Sequence, residues 1–307
     1  MWNRIKNRLS ANKSAVNVKE LIDNIENVRK RSTILVLYGS PTNGSWLGIA
    51  NATLGLFPNE AVEIPQWYSH LELNSKQEKE VLNLIAKLKF EKIIVSGFAS
   101  FFFKWIDYVH ASTQVTILFH GTISEFHDEN RREFIAQLIT YGRQNKINSF
   151  GFVKVGLAEI FNTLYGFKTY HQALNAPSIP ENLDKLDLDK TKIHIGVFGA
   201  DTFNKNLHNQ VIHALLLENT VIHVLDKSIF SYLMLDNRIV EHGQNLPKEK
   251  FLSILGSMDL NLYLSYSESW GLVAYESEAM GVPCIKPFDV NYLALITDAL
   301  AQIKKKE

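Results

Sequence analysis

The sequence predicts an α/β protein built from two doubly wound, Rossmann-like domains, and three observations carry that expectation. Short apolar, β-branched runs alternate with helix-periodic segments along most of the chain, the order that produces parallel sheets covered by helices on both faces. Glycine-bearing loops follow the first strand of each half, at Gly39 to Gly44 and at Gly199. A stretch with two prolines and many charges, residues 172–191, separates the halves. At 307 residues the chain is long enough for each half to bury its own core.

Residues 1–30 read as a helical extension. Trp2, Ile5 and Leu9 share one face with Arg4, Lys6 and Arg8 beside it, which suits either an anionic membrane surface or packing on the chain's own domain. The first domain spans 31–171. Thr33 to Tyr38 is its first strand, Gly39-Ser-Pro-Thr-Asn-Gly44 a loop, and Ser45 the cap of a helix to about Phe57. The loop has neither the Walker lysine nor a full Gly-x-Gly-x-x-Gly. Further strands are expected at Ala61 to Ile64, Lys92 to Ser96, Val115 to Phe119 and Phe150 to Val155, with a helix over Leu157 to Tyr165. Ligands in such sheets collect at the carboxyl ends of strands. Ser96-Gly97 and Phe119-His120-Gly121-Thr122 lie there, with Glu125 and His127 close behind.

The second domain, 192–307, opens on the strand Ile193 to Phe198, the loop Gly199 to Asn206 and a helix through Leu217. Lys205 would set an ammonium near the helix start, where it can offset a diphosphate. Strands at Val221 to Leu225 and Arg238 to Glu241 follow, the latter running into His242-Gly243; a helix then carries Phe251, Ile254 and Leu255. Leu260 to Leu264 reads as a buried strand, and Leu272, Tyr275, Ala279 and Met280 recur at helical spacing. A helix starting at Leu272 aims free amides and a positive dipole end into the preceding loop, which suits phosphate, and Gly271 allows close approach to the main chain. Glu268 in the loop and Glu276 about one turn into the helix can face one cleft. Carboxylates accept well from the vicinal hydroxyls of ribose and hexose rings. A last helix is expected over about 291–305.

Glu268, seven residues, Glu276 and then Ala279-Met-Gly-Val-Pro283 resemble the signature of retaining glycosyltransferases of the GT-B fold, family-4 type. The resemblance implies two domains facing a central cleft, with 31–171 on the acceptor side and 192–307 binding a nucleotide sugar. It places Glu268 by the donor sugar and Glu276 on the ribose, sets Lys205 against the diphosphate, and has His120 donate a hydrogen bond to the donor. Gly199, Asn206, Gly271 and Leu272 would line the donor site, the His242-Gly243 turn would touch the base, and Gly39 and Gly44 would border the donor phosphates or the acceptor. The implied reaction moves a hexose-type sugar from a nucleotide diphosphate sugar to a hydroxyl of a glycan, glycolipid or glycoprotein. No metal or other cofactor is expected; Asp187-Leu-Asp189 formally matches the Asp-x-Asp of metal-dependent glycosyltransferases but lies in the linker with no strand before it. Ala200 stands where the family usually has an arginine, and many relatives run further at the C-terminus and send a helix back across the first domain. Two alternatives stand beside it: a noncatalytic sugar-nucleotide-binding subunit, which those departures keep open, and a GT-B epimerase or phosphorylase, which would share the cleft.

Composition narrows the partners. Lys and Arg number 32 against 32 Asp and Glu, which argues against a strongly basic nucleic-acid-binding surface. One cysteine, Cys284, rules out an intrachain disulfide. No stretch approaches about eighteen uninterrupted apolar residues, and the N-terminus lacks the apolar region of a secretory signal. The expectation is a cytoplasmic protein that can sit peripherally on the inner membrane face. Trp67, Tyr68 and Trp105 are candidates for stacking on a glycan or lipid carrier.

Overall fold

The computed structural model describes residues 16–41, 47–65, 73–122, 128–175, 177–233, 237–244 and 246–286. The expected basic helix at the N-terminus, the Ser45 cap, Gly44, Trp67, Tyr68, Glu125, His127 and the final helix lie outside them. The chain forms two compact units, Met1–Ala176 and Pro177–Glu307.

Unit 1 begins with helix α1 (Val18–Arg31). Asn17 caps it by accepting from the Glu20 amide, and Leu21, Ile25 and Val28 form its buried stripe. There follow β1 (Ile34–Gly39), α2 (Leu47–Leu56), β2 (Ala61–Ile64), α3 (Ser75–Leu88), β3 (Lys92–Ser96) and α4 (Phe102–Val109). The unit closes with β4 (Gln114–Phe119), α5 (Glu129–Arg143), β5 (Ser149–Phe152), α6 (Leu157–Tyr165) and β6 (Thr169–His171). The six strands pair in parallel in the order β2-β1-β3-β4-β5-β6. Helices cover both faces of such a sheet, so its central strands are apolar almost throughout, as in Leu35, Val36 and Leu37. Trp105 is 3% exposed and donates from Nε1 to Glu78, so it is a core residue and not a stacking platform.

Unit 2 contains β7 (Ile193–Val197), α7 (Leu207–Leu215), β8 (Thr220–Val224), β9 (Ile239–Glu241), α8 (Lys248–Leu255), β10 (Leu260–Leu262), α9 (Leu272–Ala279) and β11 (Cys284–Ile285). Its five parallel strands run β11-β10-β7-β8-β9. Strand β10 stops at Leu262, short of its apolar run, level with Val197 at the end of β7 and Ile285 at the end of β11. Asn261, fully buried in β10, donates from Nδ2 to Leu255 O (3.1 Å) and Ser277 Oγ (2.8 Å), tying α8, β10 and α9 together. Its Oδ1 lies directly over Gly196 of β7, where a Cβ would fall far inside contact distance of that oxygen and of the Phe198 ring. Before β7, Ile179, Leu183 and Leu188 pack on the cluster of Phe198, Leu252 and Leu255. Among the described residues no helix is long and apolar enough to cross a membrane.

Strand order reverses once in each unit. Numbered within their own unit the orders are 2-1-3-4-5-6 and 3-2-1-4-5, so the switch points fall between β1 and β3 and between β7 and β10. Doubly wound sheets bind ligands in the crevice outside the strand ends at such points.

Candidate functional site

At the unit 2 switch point the two loops that carry most of the sequence candidates are joined by a dense set of bonds. Lys205, in a short 3₁₀ turn after β7, reaches across to the loop after β10. Its Nζ lies 2.6 Å from Glu268 Oε1 and donates to the Tyr263 hydroxyl at 3.0 Å. Both side chains are largely shielded, 20% and 15% exposed. Tyr263 is buried, and that burial together with the Glu268 carboxylate raises its phenol far above the usual range. It therefore stays protonated, able to accept from Lys205 while donating to Glu268.

Main-chain groups fix this geometry. Asn206 takes a left-handed conformation (φ 54°) as N-cap of α7, and its Nδ2 donates to Leu264 O at 3.0 Å. Gln210, one turn into α7 and buried, donates to Lys205 O (2.8 Å) and Asn206 O (3.3 Å). It also accepts from the Leu264 amide at 2.9 Å. The Tyr266 amide donates to Asn204 O at 2.7 Å. Gly199, where the β7 loop turns, leaves room for the Leu207 and Lys205 side chains that would crowd a Cβ.

Gly271 starts α9 with φ 79°, a conformation that glycine adopts without strain, and no side chain caps the helix. The helix thus presents its first-turn amides, Leu272 among them, and a positive dipole end four residues after Glu268, with Gly271 packed against the ring of Tyr263, the residue whose hydroxyl Lys205 holds. Glu276 lies further along α9. It is only 8% exposed, and burial raises its carboxyl pKa against the opposing pull of Lys248. The Ser265 hydroxyl, in a residue 4% exposed on the β10 loop, has no hydrogen-bond partner among the described residues. A buried orphan donor so close to the switch point is suited to a ligand's polar atom.

His242 follows β9 and belongs to a row of three imidazoles. His194 Nδ1 lies 2.8 Å from His223 Nε2, and His223 Nδ1 lies 2.8 Å from His242 Nε2. The far end of the row is anchored by His194 Nε2, 3.0 Å from the Asp189 carbonyl. The Asp189 carboxylate accepts from Thr191 N and Oγ1.

His120 and Gly39 belong to unit 1. Gly39 is the last residue of β1, paired with Ile64. His120 ends the relay Ile49 O, Thr53 Oγ1, Ser96 Oγ, His120 Nε2, with spacings of 2.7, 2.6 and 3.0 Å. Thr53 has one hydroxyl proton, and the Ile49 carbonyl takes it. Ser96 must then donate to Thr53 and accept from His120, which protonates the imidazole on Nε2. The remaining nitrogen, Nδ1, is a hydrogen-bond acceptor. In the neutral ring the free nitrogen can accept a hydrogen bond but not donate one, so toward a hydroxyl His120 is suited to the acceptor's part and not to the donor's part that the resemblance implied.

Burial holds the pKa of both His120 and His223 down to about 4. Between that value and the ordinary 6.5 the unfolded chain binds protons that the folded chain refuses, so stability falls as pH drops below about 6.5. Each histidine should contribute roughly 1 kcal/mol per pH unit over that window. Urea unfolding at pH 7.5 and 5.0 checks this, and replacing His120 with glutamine should flatten part of the slope.

The sequence reading did not single out Gln210, Tyr263, Thr53, Lys248, His194 or His223. Gln210 left a signal: at positions 207, 210, 211 and 214 it shares the apolar face of α7, where a polar residue needs internal partners.

No protein-family model matches the chain, and no curated protein matches it in sequence. Solved structures do resemble it. Anabaena HepE in complex with UDP and glucose is 13% identical, with a TM-score of 0.61 over 85% of this chain and 82% of that one. OtsA in its apo form is 11% identical, TM-score 0.54, over 86% and 90%. The apo lipopolysaccharide outer core galactosyltransferase WaaB is 13% identical, TM-score 0.52, over 82% and 80%. The fold is that of the GT-B glycosyltransferases. Two Rossmann-like units with parallel sheets account for the likeness.

Proposed function

We propose that the chain is a retaining, family-4-like glycosyltransferase that moves a sugar from a nucleoside diphosphate sugar to a hydroxyl acceptor. The observation that carries this reading is the Lys205–Glu268 pair at the unit 2 switch point, in the loop that leads into the uncapped start of α9. Solved neighbours of the same fold hold UDP, with glucose in one case and as UDP-glucose in another, which supports the donor class.

The resting ion pair suggests how binding proceeds. An arriving diphosphate competes with Glu268 for the Lys205 ammonium and gains the amides of the first turn of α9. Glu268, released from its cation, becomes a free acceptor for the hydroxyls of the donor sugar. Diphosphate capture and sugar recognition are thereby coupled through one exchange of partners. Glu276 accepts from the ribose diol. As the glycosidic bond breaks, negative charge gathers on the leaving diphosphate, where Lys205 and the amides stabilise it. These groups stand in for a metal in this reading, so activity is expected to survive chelation by EDTA. Retention and the place of His120 at the donor sugar are carried over from the sequence resemblance, with His120 accepting through Nδ1.

A thermal-shift panel of UDP, GDP and ADP sugars tests donor binding, because a ligand selective for the folded state raises the melting temperature. Release of free nucleotide then tests catalysis. The wild type should release it and Glu268→Gln should bind donor with little or no release. Binding without release in the wild type, across a panel of glycan and lipid acceptors, would instead identify a noncatalytic subunit.

A further inference from the structure

The three-histidine row lies on one face of the unit 2 sheet and climbs it diagonally. His194 stands near the start of β7, His223 pairs with Val240 two positions further up, and His242 follows β9 two residues beyond Val240. His194 and His223 are 6% and 2% exposed, whereas His242 is partly exposed at the carboxyl edge of the sheet. The buried end has a fixed polarity. The Asp189 carbonyl can only accept, so His194 donates through Nε2. A neutral ring that donates through Nε2 accepts through Nδ1, so His223 must donate to it through its own Nε2. The same step repeats once more, and His242 donates to His223. The other nitrogen of His242, Nδ1, lies on the far side of its ring and has no protein partner among the described residues.

We propose that this row is a tautomer lock that presents His242 Nδ1 as a fixed hydrogen-bond acceptor for a nucleobase ring N–H, so that the chain selects uracil or guanine over adenine. The inference rests on the nucleotide-sugar reading and adds the class of base. Two features bring the edge near a bound nucleotide. Neighbouring strands are about 4.8 Å apart, so the end of β9 lies roughly 10 Å across the sheet from the end of β7, whose loop carries Lys205. The start of α8 serves both residues, since Lys248 acts on the Glu276 carboxylate and Lys250 on His242. The burial of His242 and then the Lys250 charge disfavour its protonated form, and the pKa of His223 is held down to about 4 by burial and by the other two imidazoles. The acceptor therefore persists at neutral pH. Uracil N3–H and guanine N1–H complement it, whereas adenine offers a bare ring nitrogen that meets it lone pair to lone pair.

The test uses the full chain and three measurements. Long-range ¹⁵N–¹H spectra of the unliganded protein read the tautomers directly, and His194, His223 and His242 should each be protonated on Nε2 alone. Calorimetry should find UDP or GDP bound tightly, with ADP and N3-methyl-UDP each about tenfold or more weaker than UDP. In His242→Ala the cost of N3-methylation should vanish. In His194→Phe, altered at the far end of the row, the preference for UDP over ADP should shrink; if that variant does not fold, the spectra and the His242 variant decide alone. A His242 protonated on Nδ1, or equal binding of UDP and N3-methyl-UDP, overturns the lock and leaves the proposed transferase standing. Failure of UDP, GDP and ADP alike to bind overturns both.

Discussion

Replacing Lys205 with methionine is expected to lower kcat/KM for sugar transfer by about two to three orders of magnitude, the usual cost of removing one preorganised group that meets developing charge. Methionine keeps most of the aliphatic stem against Gly199 and Leu207 while deleting the ammonium. Two losses coincide. The diphosphate forfeits its side-chain cation, and Glu268, 15% exposed and partnered in the resting state by that same ammonium, is left beside the incoming phosphates as an unneutralised carboxylate. UDP affinity should fall along with kcat, and the double variant Lys205→Met/Glu268→Gln should bind UDP better than the single one because the repulsion is gone. Wild-type kcat/KM within about threefold for Lys205→Met would remove the pair from the mechanism, since even one such group ordinarily matters far more.

The largest effect on stability is expected from Gly196→Val. A side chain at this position of β7 collides with Asn261 Oδ1, the Phe198 ring and Met258, all of them buried. Asn261 cannot swing away without abandoning Leu255 O and Ser277 Oγ. The cost joins overpacking to broken buried hydrogen bonds, in all about 4 kcal/mol or more. Urea unfolding monitored by circular dichroism should show it, and Gly196→Ala should show a smaller loss of the same sign. A drop of less than about 1 kcal/mol for the valine variant would mean that β7 and β10 shift easily past each other.

Much of the fold could be read from residues alone because both sheets are parallel and covered. The Lys92 to Ser96 and Ala61 to Ile64 strands and the Leu157 to Tyr165 helix fall where apolar periodicity put them. Edge strands β6 and β11 carry no such signal; at three and two residues they are too short for a pattern and exist through pairing. The candidate site divides in the same way. Lys205, Glu268, Gly271 and Glu276 were visible as chemistry at the ends of expected strands. The resting contact between Lys205 and Glu268 joins residues 63 apart in sequence, and only the strand order brings them together. The polarity of His120 was also hidden, because it depends on where Thr53 spends its single proton.

Gln210 grips Lys205 O, Asn206 O and the Leu264 amide, and every one of those atoms belongs to the backbone. This part of the clamp depends on no loop side chain, whereas the bonds from Asn206 Nδ2 and from Lys205 do. Substitutions in the two loops that spare those two residues should therefore leave the three glutamine bonds in place, and the loops can take different side chains while their main chains stay registered.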